Sequence, residues 1–159
     1  MSRKQYVVFK LGKEEFGIDI MNVKEIIPYQ ESIHVPDTPG FIEGIINYRD
    51  SVIPIISLKE RFKLDEKGST KDTRIIVITL KDKDVGFIVD EVSQTLYLDD
   101  DEVDPTPEII IGVDRKYITG VGKLGGDRLL ILIDLEAILT EEEKDEIEML
   151  EDEIEELEP

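Results

Sequence analysis

The segment RIIVITLKDKDVGFIVDEV (residues 74–92) decides the fold, because an earlier segment, YVVFKLGKEEFGIDIMNV (residues 6–23), can be laid over it. Each segment has apolar and β-branched residues on both sides of a short polar turn, which is typical of a β-hairpin. Identical residues coincide in the alignment, among them Gly86 on Gly17, Leu80 on Leu11 and Val92 on Val23. The chain therefore contains a similar hairpin twice.

A second pair of segments matches in the same order. DRLLILIDLEAIL (127–139) lies over DSVIPIISLKERF (50–62), and each closes with a predicted strand followed by a short amphipathic helix. One matching block would mean little, because any two hairpins of similar length share this alternation. Two blocks in the same order favour an internal duplication of roughly 60 residues.

Each repeat has room for about five short strands, which suits a small barrel closed to remove its edges. A unit of this size buries little surface alone, so we expect two barrels that pack together and leave a seam between them. The predicted fold is mainly β, with five-stranded β-barrel subdomains over 5–66 and 74–139 and an acidic C-terminal helix over 140–157. Exchange of the first strand between the barrels stays open.

Local patterns predict the individual elements. Residues 22–27 place Val23, Ile26 and Ile27 on one helical stripe, which predicts a short helix. A second short helix is predicted over 58–64. The clearest strands are predicted at 5–11, 15–20, 42–48 and 51–57, the last two joined by a tight turn at Arg49-Asp50.

Acidic residues are concentrated near the C-terminus. Residues 141–158 hold twelve acidic residues and one Lys, and so carry −11 of the net charge of −19. With an acidic body and no basic stripe, the chain repels phosphate backbones, which argues against nucleic acid as a partner. The predicted helix has one apolar stripe: Ile147, Leu150, Ile154 and Leu157. Packing on its own domain, fraying and a partner helix stay open, although two heptads are too short to predict a coiled coil.

Candidate motifs for catalysis, cofactors or metals lack the necessary context. The single His, His34, sits in a turn-rich loop, and no triad or multi-His metal site can be built from it. GVGKLG (120–125) matches a dinucleotide fingerprint by letter but runs into a predicted strand rather than a helix. DDDE (99–102) lacks the ligand spacing and Gly of a calcium loop and is predicted to be a solvated acidic turn. We expect neither enzymatic activity nor a cofactor or metal.

The N-terminus indicates where the protein works. It has basic residues but no long apolar stretch before a small-residue cleavage site, so no signal peptide is predicted. No apolar stretch approaches the roughly 20 residues that span a bilayer, and the chain has no Cys. We expect a soluble, cytoplasmic protein without direct membrane insertion.

Two features suggest a partner. PTPEIIIGV (105–113) places three Ile residues beside a Pro-rich acidic loop, either as a short buried strand at the barrel rim or as an exposed docking patch. Arg49 sits at a tight turn between two apolar strands, either as an ordinary solvated charge or paired with a carboxylate. Glu25, on the preceding predicted helix, is a candidate for that carboxylate.

Four segments, in this order and spacing, resemble the CheW family over residues 5–139: VFKLGKEEFGIDIMNVKEI (8–26), TPGFIEGIINYRDSVIPIISL (38–58), VGFIVDEVSQTL (85–96) and YITGVGKLGGDRLLILIDLEAIL (117–139). The resemblance implies two SH3-like β-barrels and a non-catalytic chemotaxis adaptor, recruited to membrane-associated receptor arrays. It also implies that one barrel docks on the regulatory domain of the histidine kinase CheA and the other meets a second kinase. The cytoplasmic tips of methyl-accepting chemoreceptors would bind in the groove between the barrels.

The resemblance assigns roles to single residues. Val23 and Val92 correspond to apolar groove positions that take the receptor tip, with Ile20 as a neighbour. Glu25 and Arg49 match an acidic–basic pair near that groove, which agrees with the pairing suggested by the turn.

The resemblance also bears on the two open features. Ile109 matches an apolar side chain at the ring-closing kinase contact, which favours the docking interpretation of the 105–113 segment. Asp50 stands where the family commonly has Gly. Asp tolerates positive φ better than most residues, but its carboxylate can compete with Glu25 for Arg49.

Two alternatives remain at this point. Within the family, the chain would be a CheW-like adaptor of a non-motility chemosensory array. Outside it, the chain would be a small-molecule-binding or hydrolytic double barrel, which needs a deep polar pocket with convergent groups.

Overall fold

The computed structural model describes residues 3–64, 68–105 and 117–157. The strands of this part of the chain are β1 (Arg3–Leu11), β2 (Glu14–Asp19), β3 (Glu25–Pro28), β4 (Gly44–Tyr48), β5 (Ser51–Ser57), β6 (Arg74–Leu80), β7 (Lys83–Val89), β8 (Glu91–Asp99), β9 (Val103–Asp104), β10 (Ile118–Lys123) and β11 (Leu129–Ile133). The α-helices are α1 (Leu58–Arg61) and α2 (Glu141–Leu157). This mainly β architecture confirms the predicted fold class, and β1, β2, β4 and β5 confirm the four clearest strand predictions.

The strands form two sheets that do not follow the order of the sequence repeats. A six-stranded sheet has the order β8-β1-β2-β11-β10-β9, and a five-stranded sheet has the order β3-β6-β7-β5-β4. The leading hairpin of the first repeat, β1–β2, thus belongs with strands of the second repeat, and the hairpin β6–β7 belongs with strands of the first. The exchange between sheets involves a whole hairpin from each repeat. The subdomain bounds 5–66 and 74–139 stay a prediction. Each sheet takes strands from both of these ranges.

Both exchanged hairpins join their host sheets in the same way. β2 runs parallel to β11 with Gly17 opposite Leu132, and β7 runs parallel to β5 with Gly86 opposite Ile55. A Cβ on Gly86 would lie 2.6 Å from Ile55 Cδ1 and 2.8 Å from Ile75 Cγ2, and one on Gly17 would lie 3.0 Å from Leu132 Cδ2. Both repeats therefore have Gly at this position, because the neighbouring side chains occupy the space that a Cβ would need at Gly17 and at Gly86.

Strands β1 and β6 are buried on both faces. On one face Phe9 and Ile76 join a central cluster to which both sheets contribute, together with Phe87 of β7. On the other face Val8 packs in a smaller cluster of the six-stranded sheet, and Ile75 packs in that of the five-stranded sheet. Because neither face of the central segments 6–9 and 75–78 meets water, these segments carry an unbroken run of buried apolar and aromatic residues, whereas the ends of both strands include polar ones. The seam between the sheets is a packed core.

The helix predicted over 22–27 is wrong. Ile20–Asn22 form one 3-10 turn, and the chain then enters β3, which pairs antiparallel with β6. The spacing of Val23, Ile26 and Ile27 fits a helix, but so short an apolar run fits a strand equally well. The free edge of β6 offers backbone partners, and its pairing with β3 outweighs the local pattern.

Helix α1 is shorter than the predicted 58–64. It is capped by Ser57, whose Oγ accepts from the backbone N of Glu60 at 3.2 Å, and it ends at Arg61.

Within the described residues, neither helix combines the length and the apolar character that crossing a membrane requires.

Helix α2 docks on its own chain. Ile147 and Leu150 are buried in the central cluster; the side chains of Ile154 and Leu157 lie outside the described residues. Thr140 and Glu143 form a capping box at the first turn, with backbone-to-side-chain bonds of 2.9 and 3.1 Å.

The carboxylate of Glu143 also ties α2 to α1. Arg61 donates to both of its oxygens, at 2.6 and 2.5 Å, and to the carbonyl oxygen of Ile138 at 3.1 Å. Two lysines of the β6–β7 turn region extend the attachment: Lys81 lies 3.3 Å from Asp145, and Lys83 lies 3.3 Å from Asp152. The acidic helix is thus held by both an apolar stripe and ion pairs.

This attachment predicts an acid-sensitive contribution to stability. Burial acts to raise the pKa of Glu143, but the hydrogen bonds from Arg61 and Thr140 outweigh it and lower that pKa. A lowered pKa in the folded state stabilises the fold above the ordinary Glu range, and this stabilisation is lost as pH falls through the lowered value. Glu143→Gln is therefore expected to reduce the melting temperature at neutral pH but not in strong acid.

Circular dichroism melts at a series of pH values measure this difference. Glu142→Gln, at the exposed neighbouring position, is the control and should differ little from the unmodified protein across the series. A melting difference for Glu143→Gln that is independent of pH would contradict the assignment.

Candidate interaction site

Glu25 and Arg49 form the ion pair that the sequence suggested. Arg49 donates from Nε to Glu25 Oε1 at 2.9 Å, and its Nη2 lies 2.9 Å from the same oxygen. Tyr48 donates its hydroxyl to that oxygen as well, at 2.6 Å. The pairing is confirmed, but the element is different, because Glu25 begins strand β3 rather than lying on a helix.

Arg49 and Asp50 form the two-residue turn between β4 and β5. Both have positive φ, 49° and 65°, as a type I′ hairpin turn requires. Asp is among the residues that tolerate this conformation, which accounts for Asp50 where the resembled family commonly has Gly. The ion pair that Arg49 makes is with Glu25.

The pair lies where the five-stranded sheet closes on itself. β3 and β4 are the outer strands of that sheet, yet Glu25 of β3 accepts from Tyr48 at the end of β4. A second contact spans the same gap, since Gln30 Nε2 donates to the carbonyl oxygen of Asn47 at 3.4 Å. Side-chain contacts therefore join the two edges at this place.

The charges of the site stabilise one another. The hydrogen bond from Arg49, followed by that from Tyr48, holds the pKa of Glu25 below its ordinary value. Glu25 in turn raises the pKa of Arg49. Burial, followed by the hydrogen bond to Glu25, raises the pKa of Tyr48. At neutral pH the site holds a carboxylate, a guanidinium and a protonated phenol.

A second ion pair adjoins the first. Lys24 Nζ lies 2.7 Å from Asp84 Oδ2, and Thr79 donates to the other oxygen of Asp84 at 2.9 Å. The hydrogen bond from Lys24 to Asp84 raises the pKa of Lys24. The Lys24 ammonium is 5.9 Å from the centre of the Tyr48 ring, and the Arg49 guanidinium carbon is 5.7 Å from it. Two cations thus flank one aromatic ring at cation–π distance.

A cleft of about 210 Å³ lies beside these groups and takes walls from both sheets. Its lining includes Ile78 of β6 and Ile133 of β11, together with Val23 and Lys24. Met21 stands at its rim with 85% of its surface exposed. The cleft is small beside the 300–1,000 Å³ typical of small-molecule sites.

The structure places the predicted groove residues in two groups. Val23 lines the cleft and is partly buried. Ile20 and Val92 pack against the same central cluster but are not among the residues that line the cleft. Val92 lies on β8 opposite Phe9 of β1. Their receptor-binding roles stay predictions.

Sequence reasoning missed an ion pair buried beneath the turn between β1 and β2. Lys59 of α1 lies 3.1 Å from Asp90, and its side chain is only 9% exposed. Asp90 also accepts from the backbone N of Gly12 at 2.6 Å. A cavity of about 510 Å³, lined by Leu11 and Leu64 among others, adjoins this pair. No sequence signal relates the three segments, which meet only in the tertiary structure.

The rejected cofactor and metal motifs have structural roles. Residues 118–123 form β10, which pairs antiparallel with β11. The carboxylates of Asp99, Asp101 and Glu102 lie within 4.8 Å of one another. Arg3 lies 3.7 Å from Asp99, and Glu102 accepts from the backbone N of Asp99 at 2.9 Å. These groups cap a short 3-10 turn. Ile109, the predicted kinase contact, lies outside the described residues.

A model of the CheW-like domain matches residues 5–143. The chemotaxis protein CheW of Klebsiella aerogenes is 39% identical over 140 residues, which covers 88% of this chain and 84% of the relative. The chemotaxis protein CheW of Bacillus subtilis is 34% identical over 141 residues, covering 87% and 88% of the two chains.

A solved structure shows the same fold. The crystal structure of the scaffolding protein TtCheW from Thermoanaerobacter tengcongensis superposes with a TM-score of 0.74 and 37% sequence identity. The likeness covers 85% of this chain and 86% of that one. With two exchanged hairpins, a charged pair beside an inter-sheet cleft and relatives of this identity, the chain belongs to the CheW-like family.

Proposed function

We propose that this chain is a non-catalytic coupling protein of bacterial chemotaxis, which links the cytoplasmic tips of chemoreceptors to the histidine kinase CheA. The family match and the likeness to a scaffolding protein support this role. The observation that carries it is the Glu25–Arg49 pair beside a cleft walled by both sheets. Such a protein acts in the cytoplasm at membrane-associated receptor arrays, through the geometry of its interfaces.

The receptor tip occupies the cleft side of the molecule. Val23 offers a partly buried apolar contact there, and Met21 offers a nearly fully exposed one. Arg49, with 69% of its side chain exposed, offers donors at the edge. A helical hairpin with an apolar stripe and polar flanks complements this arrangement, because apolar anchors give affinity and charged groups at the rim set orientation.

We infer that the kinase uses a different contact, assigned to Ile109, which lies outside the described residues. Two separate surfaces are what an adaptor needs, since both partners must bind at once. A pull-down with a receptor cytoplasmic fragment and the kinase regulatory domain, separately and together, is expected to recover each alone and a ternary complex from the mixture. If neither partner is recovered, the proposed function is wrong.

Val92→Asp tests the groove. An unpaired charge among apolar groups costs about 1–3 kcal/mol or more, so affinity for the receptor fragment is expected to fall on the order of tenfold or more. Isothermal titration calorimetry measures the loss. Leu129→Asp, on a strand position that is 58% exposed, is the matched control and should bind normally.

Because Val92 packs against the central cluster, its replacement also affects stability. Arg49→Glu provides a second variant at an exposed position, where it places two acidic groups together without disturbing the core. Receptor binding by both variants as tight as that of the unmodified protein would show that the groove assignment is wrong.

A further inference from the structure

We propose that Tyr48 is the positioning residue of the interaction site, which holds Glu25 and Arg49 in the single geometry that a partner meets. This inference deepens the proposed function and rests on it for the identity of the partner. It concerns a residue at the end of β4, one position before the turn.

Three donor contacts converge on one atom. The hydroxyl of Tyr48 lies 2.6 Å from Glu25 Oε1, and Nε and Nη2 of Arg49 each lie 2.9 Å from the same oxygen. The distance from the Tyr48 hydroxyl is the shortest of the three. Tyr48 is a buried residue, whereas Arg49 is an exposed residue of the turn. The carboxylate therefore accepts from one residue that is anchored in the core and from one that is not.

The ion pair alone would not fix this geometry. The side chain of Arg49 is 69% exposed and that of Glu25 is 33% exposed. Exposed pairs between flexible side chains contribute little and adopt several arrangements. Tyr48, in contrast, is only 5% exposed, and its ring packs in the core cluster of the five-stranded sheet. A buried ring with two side-chain torsions gives its hydroxyl one position.

The ring of Tyr48 also orders the two cations of the site. Arg49 and Lys24 both lie within 6 Å of its centre, at 5.7 and 5.9 Å. The same ammonium group of Lys24 pairs with Asp84, and Lys24 lines the inter-sheet cleft. Tyr48 thus bonds the carboxylate and lies within cation–π distance of both positive charges. The partner meets charged groups that share one core-anchored residue.

Tyr48→Phe removes the hydroxyl and keeps the ring. Affinity for the receptor fragment is expected to fall on the order of tenfold or more, as for loss of one hydrogen bond to a charged group. Binding of the kinase regulatory domain is expected to stay unchanged. In the free protein, the NMR titration midpoint of the Glu25 carboxyl is expected to rise, because one of the donors that lowers its pKa is gone.

Tyr29→Phe is the matched control, since Tyr29 packs against the same cluster and loses the same atom. It should change neither the receptor affinity nor the Glu25 midpoint. If Tyr48→Phe leaves both unchanged, the inference is wrong. A different result would overturn the proposed function instead. If the unmodified protein does not bind the receptor fragment, but Tyr48→Phe still raises the Glu25 midpoint, the positioning role of Tyr48 stands and the proposed function is wrong.

Discussion

Replacing Gly86 by Val is expected to lower the free energy of unfolding by about 3 kcal/mol, at the upper end of what overpacking costs. The new Cβ alone would lie 2.6 Å from Ile55 and 2.8 Å from Ile75. Both of these side chains are fully buried, so neither can move into solvent. Val adds two methyl groups beyond the Cβ. Denaturant unfolding followed by circular dichroism measures the loss.

Further glycine variants test whether close packing at Gly86 causes the loss of stability. Gly40→Ala is the control, because a Cβ there meets nothing within 4 Å. Gly17→Ala should cost less than Gly86→Ala, since its closest contacts, with Leu130 and Leu132, are longer at 2.9 and 3.0 Å and fall on the ends of Leu side chains. Equal stability of Gly86→Val and Gly40→Ala would show that the β5–β7 contact is not tightly packed.

Replacing Ile147 by Asp is expected to detach helix α2 and to cost about 3–5 kcal/mol. The change removes a buried apolar side chain and introduces an unpaired charge into the central cluster. Ile147 is 1% exposed, and Leu150 on the same stripe is 7% exposed. Once the helix leaves, the apolar surface between the sheets meets water. Hydrogen exchange should show protection lost first along α2.

The same helix offers a close control. Met149 lies two residues further on and is 62% exposed, so Met149→Asp adds the same charge to the same acidic helix. Its effect should stay within about 0.5 kcal/mol, as for ordinary surface positions. If both variants lose equal stability, repulsion among the many acidic residues, and not core burial, decides how α2 docks.

Much of the fold could be predicted because its signals are local. The hairpins show in the alternation around short turns, and the capped acidic helix shows in its single apolar stripe. The duplicated glycines, Gly17 and Gly86, indicated a shared architecture before any packing was known. The helix predicted over 22–27 failed because three apolar residues at helical spacing also suit a short strand, and the edge of β6 decided between them.

Other features depend on long-range contacts that no local pattern reports. The exchange of hairpins requires β1 to pair with β8, about 90 residues later in the chain, as in Tyr6 with Leu96. The candidate site likewise has one feature that the sequence predicted and one that it did not. The Glu25–Arg49 pairing could be predicted from a charge at a tight turn and from family resemblance. The role of Tyr48 could not, because its hydroxyl meets Glu25 only once the two edges of the sheet approach.

The exchanged hairpins also constrain the order in which the protein can fold during synthesis. The five-stranded sheet uses only residues 25–89, so it can assemble as soon as they leave the ribosome. β1 and β2 emerge first and can pair with each other, but their outer neighbours, β8 and β11, follow only later. During that interval a strand that is apolar on both faces has a free edge. Two nascent chains close together on one messenger can trade these hairpins, so we expect domain-swapped dimers among the misassembled forms of this protein.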